Sequence, residues 1–188
     1  TKEKIIVTSV AAGPAFEGGN ITHGMGSVKG AICGVTIAGE NRILCDTIGD
    51  GSPIGICGTG VMETVAELLR TRLIDTSGKL DEEYFEDGFL LAIADDGTDI
   101  VMTQKDIREF QLAKAAIRAG VETLISQYGT SYEEIETVYL AGGFGYFMDV
   151  KKAVEIGMLP KELQEKAVPV GNASLGGAVK CVLQEDAN

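Results

Sequence analysis

The chain has 188 residues, 28 of them acidic and 16 basic, which gives a net charge of −12 at neutral pH. Its length fits one large domain or two small subdomains, and it is long enough to bury a proper hydrophobic core. The negative charge argues against nucleic acid and anionic membrane surfaces as partners, because binding to either requires a basic surface.

The first fifty residues alternate strand-like runs with glycine-rich loops. Residues 3–10 predict a strand, which ends at the break Ala-Ala-Gly-Pro. Pro14 fits the first turn of a short helix over 14–22. Two strand-like runs within 31–48, joined by a turn at Glu40-Asn41, predict a hairpin.

The middle of the chain predicts two amphipathic helices separated by a hairpin. Apolar residues recur at helical spacing over 59–73, and Thr59 is the predicted N-cap. The turn signal Asp95-Asp96-Gly97 joins two strands. A long helix then follows from 104 to 128, capped by Thr103 with an acidic residue three positions later.

The last fifty residues contain a buried-strand run, VYLA, that leads directly into Gly142-Gly143-Phe144-Gly145. A short helix over 149–156, a connector containing Pro160 and Pro169, and a helix of small residues over 174–183 complete the chain. Hairpins combined with strand–glycine–helix units predict a mixed α/β sheet covered by helices.

Glycine-rich segments are the main candidates for a ligand site. The turn at 142–145 lets the backbone approach a flat ring or a phosphate, although a tight strand-to-helix turn needs the same residues. The segment 54–60 opens a helix whose first amides suit a phosphate, or it is simply a cap after a loop. The run 170–178 fits close helix packing, and Gly171 and Asn172 at its mouth could line a ligand site.

No catalytic constellation is present in the sequence. The segment 11–26 carries Glu17 and His23 among its glycines, which indicates either a constrained functional loop or a solvated acidic one. The four cysteines form no C-x-x-C pair and have no histidine near them in sequence, so they do not predict a metal site. Free thiols and the lack of a long apolar run favour a cytoplasmic protein.

Four segments, taken in order, carry a family resemblance: GPAFEGGNITHGM, GICGTGVMETVAELL, VYLAGGFG and GNASLGGA. They resemble the C-terminal region of the reductive activators of corrinoid proteins and their relatives. Members of that family are iron–sulfur ATPases that return an inactivated cobalt cofactor to its reduced state. The resemblance covers nearly the whole chain.

The resemblance implies an α/β fold of the superfamily of actin, sugar kinases and heat-shock ATPases (ASKHA). Residues 1–188 are then a single C-terminal lobe with a mixed, ribonuclease H-like or actin-like sheet. Helices pack on this sheet, and an inserted subdomain contains a hairpin. In this superfamily two lobes close around ATP, and a Gly-Gly turn holds the adenosine.

The implied adenosine turn is Gly142, Gly143, Phe144 and Gly145. The resemblance further implies that two helices border the same cleft. They are the helix that starts at residues 58–60 and the long helix that carries Gln111 and Lys114. With the two residues at the mouth of the last helix, the remaining predicted cofactor-binding residues are Gly58, Thr59, Gly60, Gln111, Lys114, Gly171 and Asn172.

The phosphate-binding hairpins of the superfamily carry an Asp-x-Gly-x-Thr signal, which does not occur in this sequence. We therefore expect the phosphate loops, the metal-holding Asp, the first lobe and the iron–sulfur module to lie outside this chain. ATP or ADP with magnesium would be bound by the longer parent protein. We expect this chain alone to bind nucleotide weakly, to lack meaningful ATPase activity, and to bind no metal, iron–sulfur cluster or corrinoid.

The partner implied by the resemblance is a corrinoid protein, reached through the parent protein. If the first strand of the sheet lies outside the chain, the remaining strand edge is open, and we expect a second copy or the rest of the parent to cover it. Two other functions also fit the sequence. One is a docking module for a corrinoid or redox partner that uses no nucleotide, and the other is a lobe of a small-metabolite kinase.

Overall fold

The computed structural model describes residues 4–39 and 42–185. This part of the chain contains three small β-sheets and five α-helices. The strands are β1 Ala31–Ala38, β2 Arg42–Thr47, β3 Gly55–Ile56, β4 Phe89–Ile93, β5 Asp99–Met102, β6 Val138–Ala141 and β7 Ala167–Gly171. The helices are α1 Gly58–Arg70, α2 Gln104–Tyr128, α3 Gly142–Phe147, α4 Val150–Glu155 and α5 Ala173–Glu185.

The first sheet has the order β2-β1-β3 and is mixed, because β1 pairs antiparallel with β2 and parallel with β3. The predicted hairpin over 31–48 is confirmed, while its turn at Glu40-Asn41 lies outside the described residues. Helix α1 packs closely on β1. A Cβ on Gly60 would lie 2.1 Å from the carbonyl oxygen of Ile32, so this approach requires glycine.

Helix α2 begins where the sequence predicts, because Thr103 caps it. The Thr103 hydroxyl accepts a hydrogen bond from the Asp106 amide at 3.2 Å, and the Asp106 carboxylate accepts one from the Thr103 amide at 2.9 Å. Asp106 is buried, and its second oxygen accepts from the amide of Thr22 at 2.7 Å. The same carboxylate therefore caps α2 and fixes the preceding glycine-rich loop to it. The predicted hairpin of β4 and β5 is also confirmed.

Strands β6 and β7 form a parallel pair in which Ala141 lies opposite Gly171. Helix α3 follows β6 directly, and α5 begins two residues after β7 ends. The sequence analysis predicted a connector where β7 lies, and this was wrong. Pro169 argued against a strand at this place, because proline is rare in strands other than edge strands and bulges.

Burial is uneven along the chain. The hydrophobic core is built from β1, α1, the start of α2 and the region after α4, and its largest fully buried side chains include Phe110, Ile32 and Met62. In contrast, the described residues of α5 include none that is buried. One face of α5 carries an exposed apolar stripe with helical spacing, which we call the α5 stripe: Leu175, Val179, Val182 and Leu183.

Two other predictions for the first half of the chain were wrong. Residues 4–10 form no strand, because no strand among the described residues pairs with them, and Ile5 is 87% exposed. Thr59 is not the N-cap of α1, since Cys57 occupies that position without a side-chain cap. Thr59 instead lies in the first turn, with its hydroxyl 3.1 Å from the Cys57 sulfur.

Candidate functional site

The carboxyl ends of β6 and β7 bring four predicted site residues together. Because Ala141 pairs with Gly171, the next residues along the two strands, Gly142 and Asn172, leave the sheet side by side. Gly143 continues from Gly142 into α3. Ligands of open α/β sheets bind at the carboxyl ends of parallel strands, so this edge is the candidate site.

The two glycines of the turn differ in what the fold demands of them. Gly142 has a φ of 85°, which favours glycine strongly. Gly143 has no positive φ, and a Cβ placed on it would meet no atom within 4 Å. The described structure therefore has room for a side chain at Gly143. The glycine keeps the backbone there accessible from outside.

Phe144 and Gly145 anchor this turn to the core. The Phe144 ring packs against Phe16, with 4.5 Å between the ring centroids, and Phe16 in turn contacts Phe110 edge-on at 5.8 Å. Gly145 is buried, and a Cβ there would lie 3.3 Å from the carbonyl carbon of Leu140. The turn is therefore held from behind, while its glycines stay open.

Asn172 closes the other side of the site as the N-terminal cap of α5. Its side-chain oxygen accepts a hydrogen bond from the Leu175 amide at 3.0 Å. The preceding Gly171 has a φ of 66°, a conformation that glycine adopts without strain. The first amides of α5 and its dipole make this end of the site favourable for negative charge.

The structure buries Gly58, Thr59 and Gly60 in the first turn of α1. A Cβ on Gly58 would lie 2.0 Å from the carbonyl oxygen of Phe16, so close backbone packing explains this glycine. These three residues therefore lie behind Phe16. Phe16 in turn contacts Phe144 of the glycine turn.

Gln111 and Lys114 lie at a separate cavity of about 260 Å³, whose lining includes neither residues 142–145 nor residues 171–172. The Gln111 side-chain amide donates to the carbonyl oxygen of Ser77 at 2.8 Å. The Lys114 ammonium donates to the carbonyl oxygen of Ile156 at 2.8 Å. In this structure the two side chains therefore hold α2 against the loop around Ser77 and against the end of α4.

A buried ion cluster, which the sequence analysis missed, joins α4 to α1. Lys152 of α4 forms an ion pair with Glu63 and lies 3.3 Å from a carboxylate oxygen of Glu67. Arg70 pairs with the same Glu67 at 2.6 Å. The spacing of Glu63, Glu67 and Arg70 on one helix face was the available signal, but nothing in the sequence identifies Lys152 as their partner.

The cluster holds Glu67 ionised. Burial acts to raise the pKa of Glu67, but the hydrogen bond from Arg70, the Ile37 amide and the charge of Lys152 outweigh it and lower the pKa to about 2. Since Lys152 also donates to the carbonyl oxygen of Val35 at 3.2 Å, the cluster links α4, α1 and β1. It therefore fixes the chain that follows the glycine turn.

Two features are absent from the described residues, 4–39 and 42–185. No three or more histidine, cysteine, aspartate or glutamate side chains are grouped so that they could hold a metal ion. None of the helices in the same ranges combines the length and the apolar character that crossing a membrane requires.

Comparison with known proteins identifies the family. The whole chain, residues 1–188, matches the family described as the C-terminal domain of RACo, the ASKHA domain. The chain belongs to this family. The predicted resemblance to reductive activators of corrinoid proteins is therefore confirmed.

Two curated relatives and one solved structure are similar to this ASKHA domain. The "Corrinoid activation enzyme RamQ" of Eubacterium limosum is 36% identical over 98% of the chain and 34% of its own length. The "[Co(II) methylated amine-specific corrinoid protein] reductase" of Methanosarcina barkeri is 34% identical over 97% of the chain and 36% of its own length. The chain thus spans about a third of the length of these relatives.

The solved structure is the "Reductive activator for corrinoid,iron-sulfur protein". It matches with a TM-score of 0.85 and 41% sequence identity, covering 95% of this chain and 30% of that chain. The ASKHA assignment and the mixed α/β content of the fold therefore agree with each other.

Proposed function

We propose that this chain is the nucleotide-binding lobe of an ATP-dependent reductive activator of corrinoid proteins. The observation that carries the proposal is the geometry at the ends of β6 and β7, where Gly142 and Gly143 lie beside Gly171 and Asn172. The open backbone at Gly143 suits the adenosine, and the start of α5 suits a negatively charged group. The finer description of the fold, a ribonuclease H-like lobe with an inserted subdomain, belongs to the same proposal.

The other predicted site residues have supporting roles in this proposal. Phe144 and Gly145 position the turn, and the buried start of α1 at Gly58–Gly60 supports Phe16 behind it. Gln111 and Lys114 would border the nucleotide only if α2 or the loop around Ser77 moved, and we keep them as an expectation. No catalytic residue is assigned to the chain.

The chemistry of ATP would depend on parts of the parent protein besides this lobe. Magnesium and phosphate-binding loops supply charge stabilisation in enzymes of this type. The sequence carries no Asp-x-Gly-x-Thr signal, so we expect the chain alone to bind nucleotide weakly and to lack meaningful ATPase activity. We expect the corrinoid and the iron–sulfur cluster to be bound outside this chain. The free thiols of Cys33, Cys45, Cys57 and Cys181 support a reducing, cytoplasmic location.

A partner surface covers the α5 stripe in this proposal. Leu175 is 62% exposed and Val182 is 68% exposed, and large exposed apolar patches commonly mark interaction surfaces. The surface of α5 is also open at Gly176 and Gly177, because a Cβ on either of them would have no atom within 4 Å. In addition, β7 is the only strand among the described residues that pairs with β6. The rest of the parent protein, or a second copy of the chain, would cover both features.

The parent protein with Gly143→Val tests the proposed activity. The assay follows reduction of a Co(II) corrinoid protein by its visible spectrum, with a low-potential electron donor, in the presence and absence of ATP. We expect the wild-type parent to show ATP-dependent reduction and the variant to lose it, because the valine occupies the space of the adenosine. ATP-dependent reduction that is unchanged in the variant would contradict the proposed site.

The second candidate function is a docking module that binds a corrinoid or redox partner without nucleotide. The exposed α5 stripe favours it, because this surface has no requirement for ATP. Nucleotide affinity of the parent protein distinguishes the two candidates. Only the first candidate predicts that ATP binds and that Gly143→Val abolishes binding.

A further inference from the structure

Tyr146 lies in α3, four residues after Gly142, and is 51% exposed. We propose that the Tyr146 ring stacks on the base of a purine nucleotide and thereby selects the ligand of this site. The inference rests on the proposed function, since it assumes that the glycine turn receives a nucleoside. Nothing in the sequence motifs assigned a role to this residue.

Tyr146 lies beside the turn, because it contacts Gly171, the residue that pairs with Ala141. In an α-helix each side chain tilts toward the N-terminus and covers the surface of the preceding turn. For Tyr146 that preceding surface is the side of Gly143, while Gly142, with a φ of 85°, lies before the regular helical conformation. Because neither glycine has a side chain, the space between the ring and the turn stays open to a flat molecule.

A second contact fixes the lateral position of the ring. A Cβ placed on Gly171 would lie 3.7 Å from Cδ2 of Tyr146, so the ring edge lies beside the end of β7. Phe147 packs edge-on against the same ring, with 5.0 Å between centroids and an angle of 88°. The ring edge is thus fixed beside Gly171 while the residue stays half-exposed, as a stacking platform requires.

These contacts define the class of ligand. The glycine backbone offers hydrogen-bonding groups along one side, and the aromatic ring offers a flat apolar surface on the other. A purine fills such a surface better than a pyrimidine, because it has the larger flat area. Stacking therefore favours purine over pyrimidine nucleotides without requiring contacts specific to adenine.

Nuclear magnetic resonance of the nucleotide tests the inference directly. AMP-PNP with magnesium is titrated with the 188-residue chain, and the adenine H2 and H8 signals are followed in wild type, Tyr146→Leu and Tyr146→Phe. Phe147→Leu is the matched control, because it removes the neighbouring exposed ring. Circular dichroism melting of each variant verifies that it is folded.

We expect the adenine signals to shift upfield on binding to wild type and Tyr146→Phe, because the ring current of an aromatic side chain acts on a stacked base. Tyr146→Leu should lose this shift and bind roughly 5- to 100-fold more weakly, as expected from the strength of stacking between a base and an aromatic ring. Phe147→Leu should retain the shift. UMP should bind more weakly than AMP to wild type, Tyr146→Phe and Phe147→Leu, and Tyr146→Leu should lose this preference.

Each other outcome has a definite meaning. If Tyr146→Leu binds with the same shift and affinity as wild type while Gly143→Val does not bind, the nucleotide site stands and the role of Tyr146 is refuted. If millimolar AMP-PNP leaves the signals of wild type unchanged, both the site and the stacking role are refuted for this chain. If Phe147→Leu loses the shift and Tyr146→Leu keeps it, Phe147 stacks on the base instead of Tyr146, and the role of Tyr146 is refuted.

Discussion

Replacing Glu67 with glutamine removes one charge from the buried cluster and keeps the shape of the side chain. Glutamine can still accept the hydrogen bond that the Ile37 amide donates to Glu67 at 2.9 Å. It leaves Arg70 and Lys152 without the charge of this carboxylate. The variant therefore isolates the electrostatic contribution of Glu67 to folding.

The magnitude follows from the pKa. The fall in the pKa of Glu67 from the ordinary 4.5 to about 2 corresponds to about 3 kcal/mol of stabilisation at neutral pH. Arg70 can turn toward water, because half of its side chain is exposed, and Lys152 keeps its contact with Glu63. We therefore expect Glu67→Gln to lower the free energy of unfolding by about 2 to 3 kcal/mol at pH 7.

The pH dependence has a definite sign. Since the pKa is lower in the folded chain than in the unfolded one, the contribution of Glu67 is complete above about pH 5 and is lost as the pH falls toward 2. Urea unfolding of wild type and variant at pH 7, 5 and 3 should thus show a difference that is roughly halved at pH 3. A difference that is absent at pH 7, or equal at all three pH values, would refute the reasoning.

Glu82→Gln is the matched control for this experiment. Glu82 also pairs with a cation, Lys79, at 3.7 Å, but 92% of its side chain is exposed. Exposed pairs contribute little because water screens them. The control should unfold at the same urea concentration as wild type.

Three further predictions concern glycines and thiols. Gly176→Ala should raise the free energy of unfolding by up to about 1 kcal/mol in urea unfolding, because open space surrounds this helical position; a loss of stability would contradict that packing. Gly60→Ala should lower the midpoint of thermal unfolding, because its Cβ would lie 2.1 Å from the Ile32 carbonyl oxygen; an unchanged midpoint would contradict the approach of α1 to β1. Iodoacetamide should modify exposed Cys181 faster than Cys45, whose pKa burial raises to about 11, as measured by peptide mass spectrometry; equal rates would contradict the burial of Cys45.

The elements that could be predicted from sequence are those whose signals are local. The capping pair Thr103 and Asp106 marked the start of α2, and the turn residues at 95–97 marked the hairpin before it. Both signals depend on hydrogen bonds between residues that are close in sequence. Such signals are present in the chain before any tertiary contact forms.

The predictions that failed depend on contacts between distant segments. Thr59 has the chemistry of an N-cap, but α1 begins earlier because Gly58 and Gly60 allow Phe16 and Ile32 to approach it. Residues 4–10 have the composition of a strand, but no described strand pairs with them. Composition cannot reveal whether a partner strand is present.

The candidate site likewise combines a local sequence signal with contacts between distant segments. The motif at 142–145 could be identified from sequence, because glycine at a strand end has few explanations. Its position beside Asn172 required the register of β6 and β7, and β7 was hidden by its proline. The proposed stacking position of Tyr146 depends on the same register and could therefore not be predicted from the sequence.

The central claim is that adenosine binds over Gly143, and isothermal titration calorimetry tests it most directly. A non-hydrolysable ATP analogue with magnesium is titrated into wild type, Gly143→Val and the control Gly26→Val, which also adds a side chain where no atom lies within 4 Å. The account predicts weak binding to wild type and Gly26→Val and none to Gly143→Val, with all three chains equally folded. Equal binding to Gly143→Val, or no binding to wild type, would contradict it.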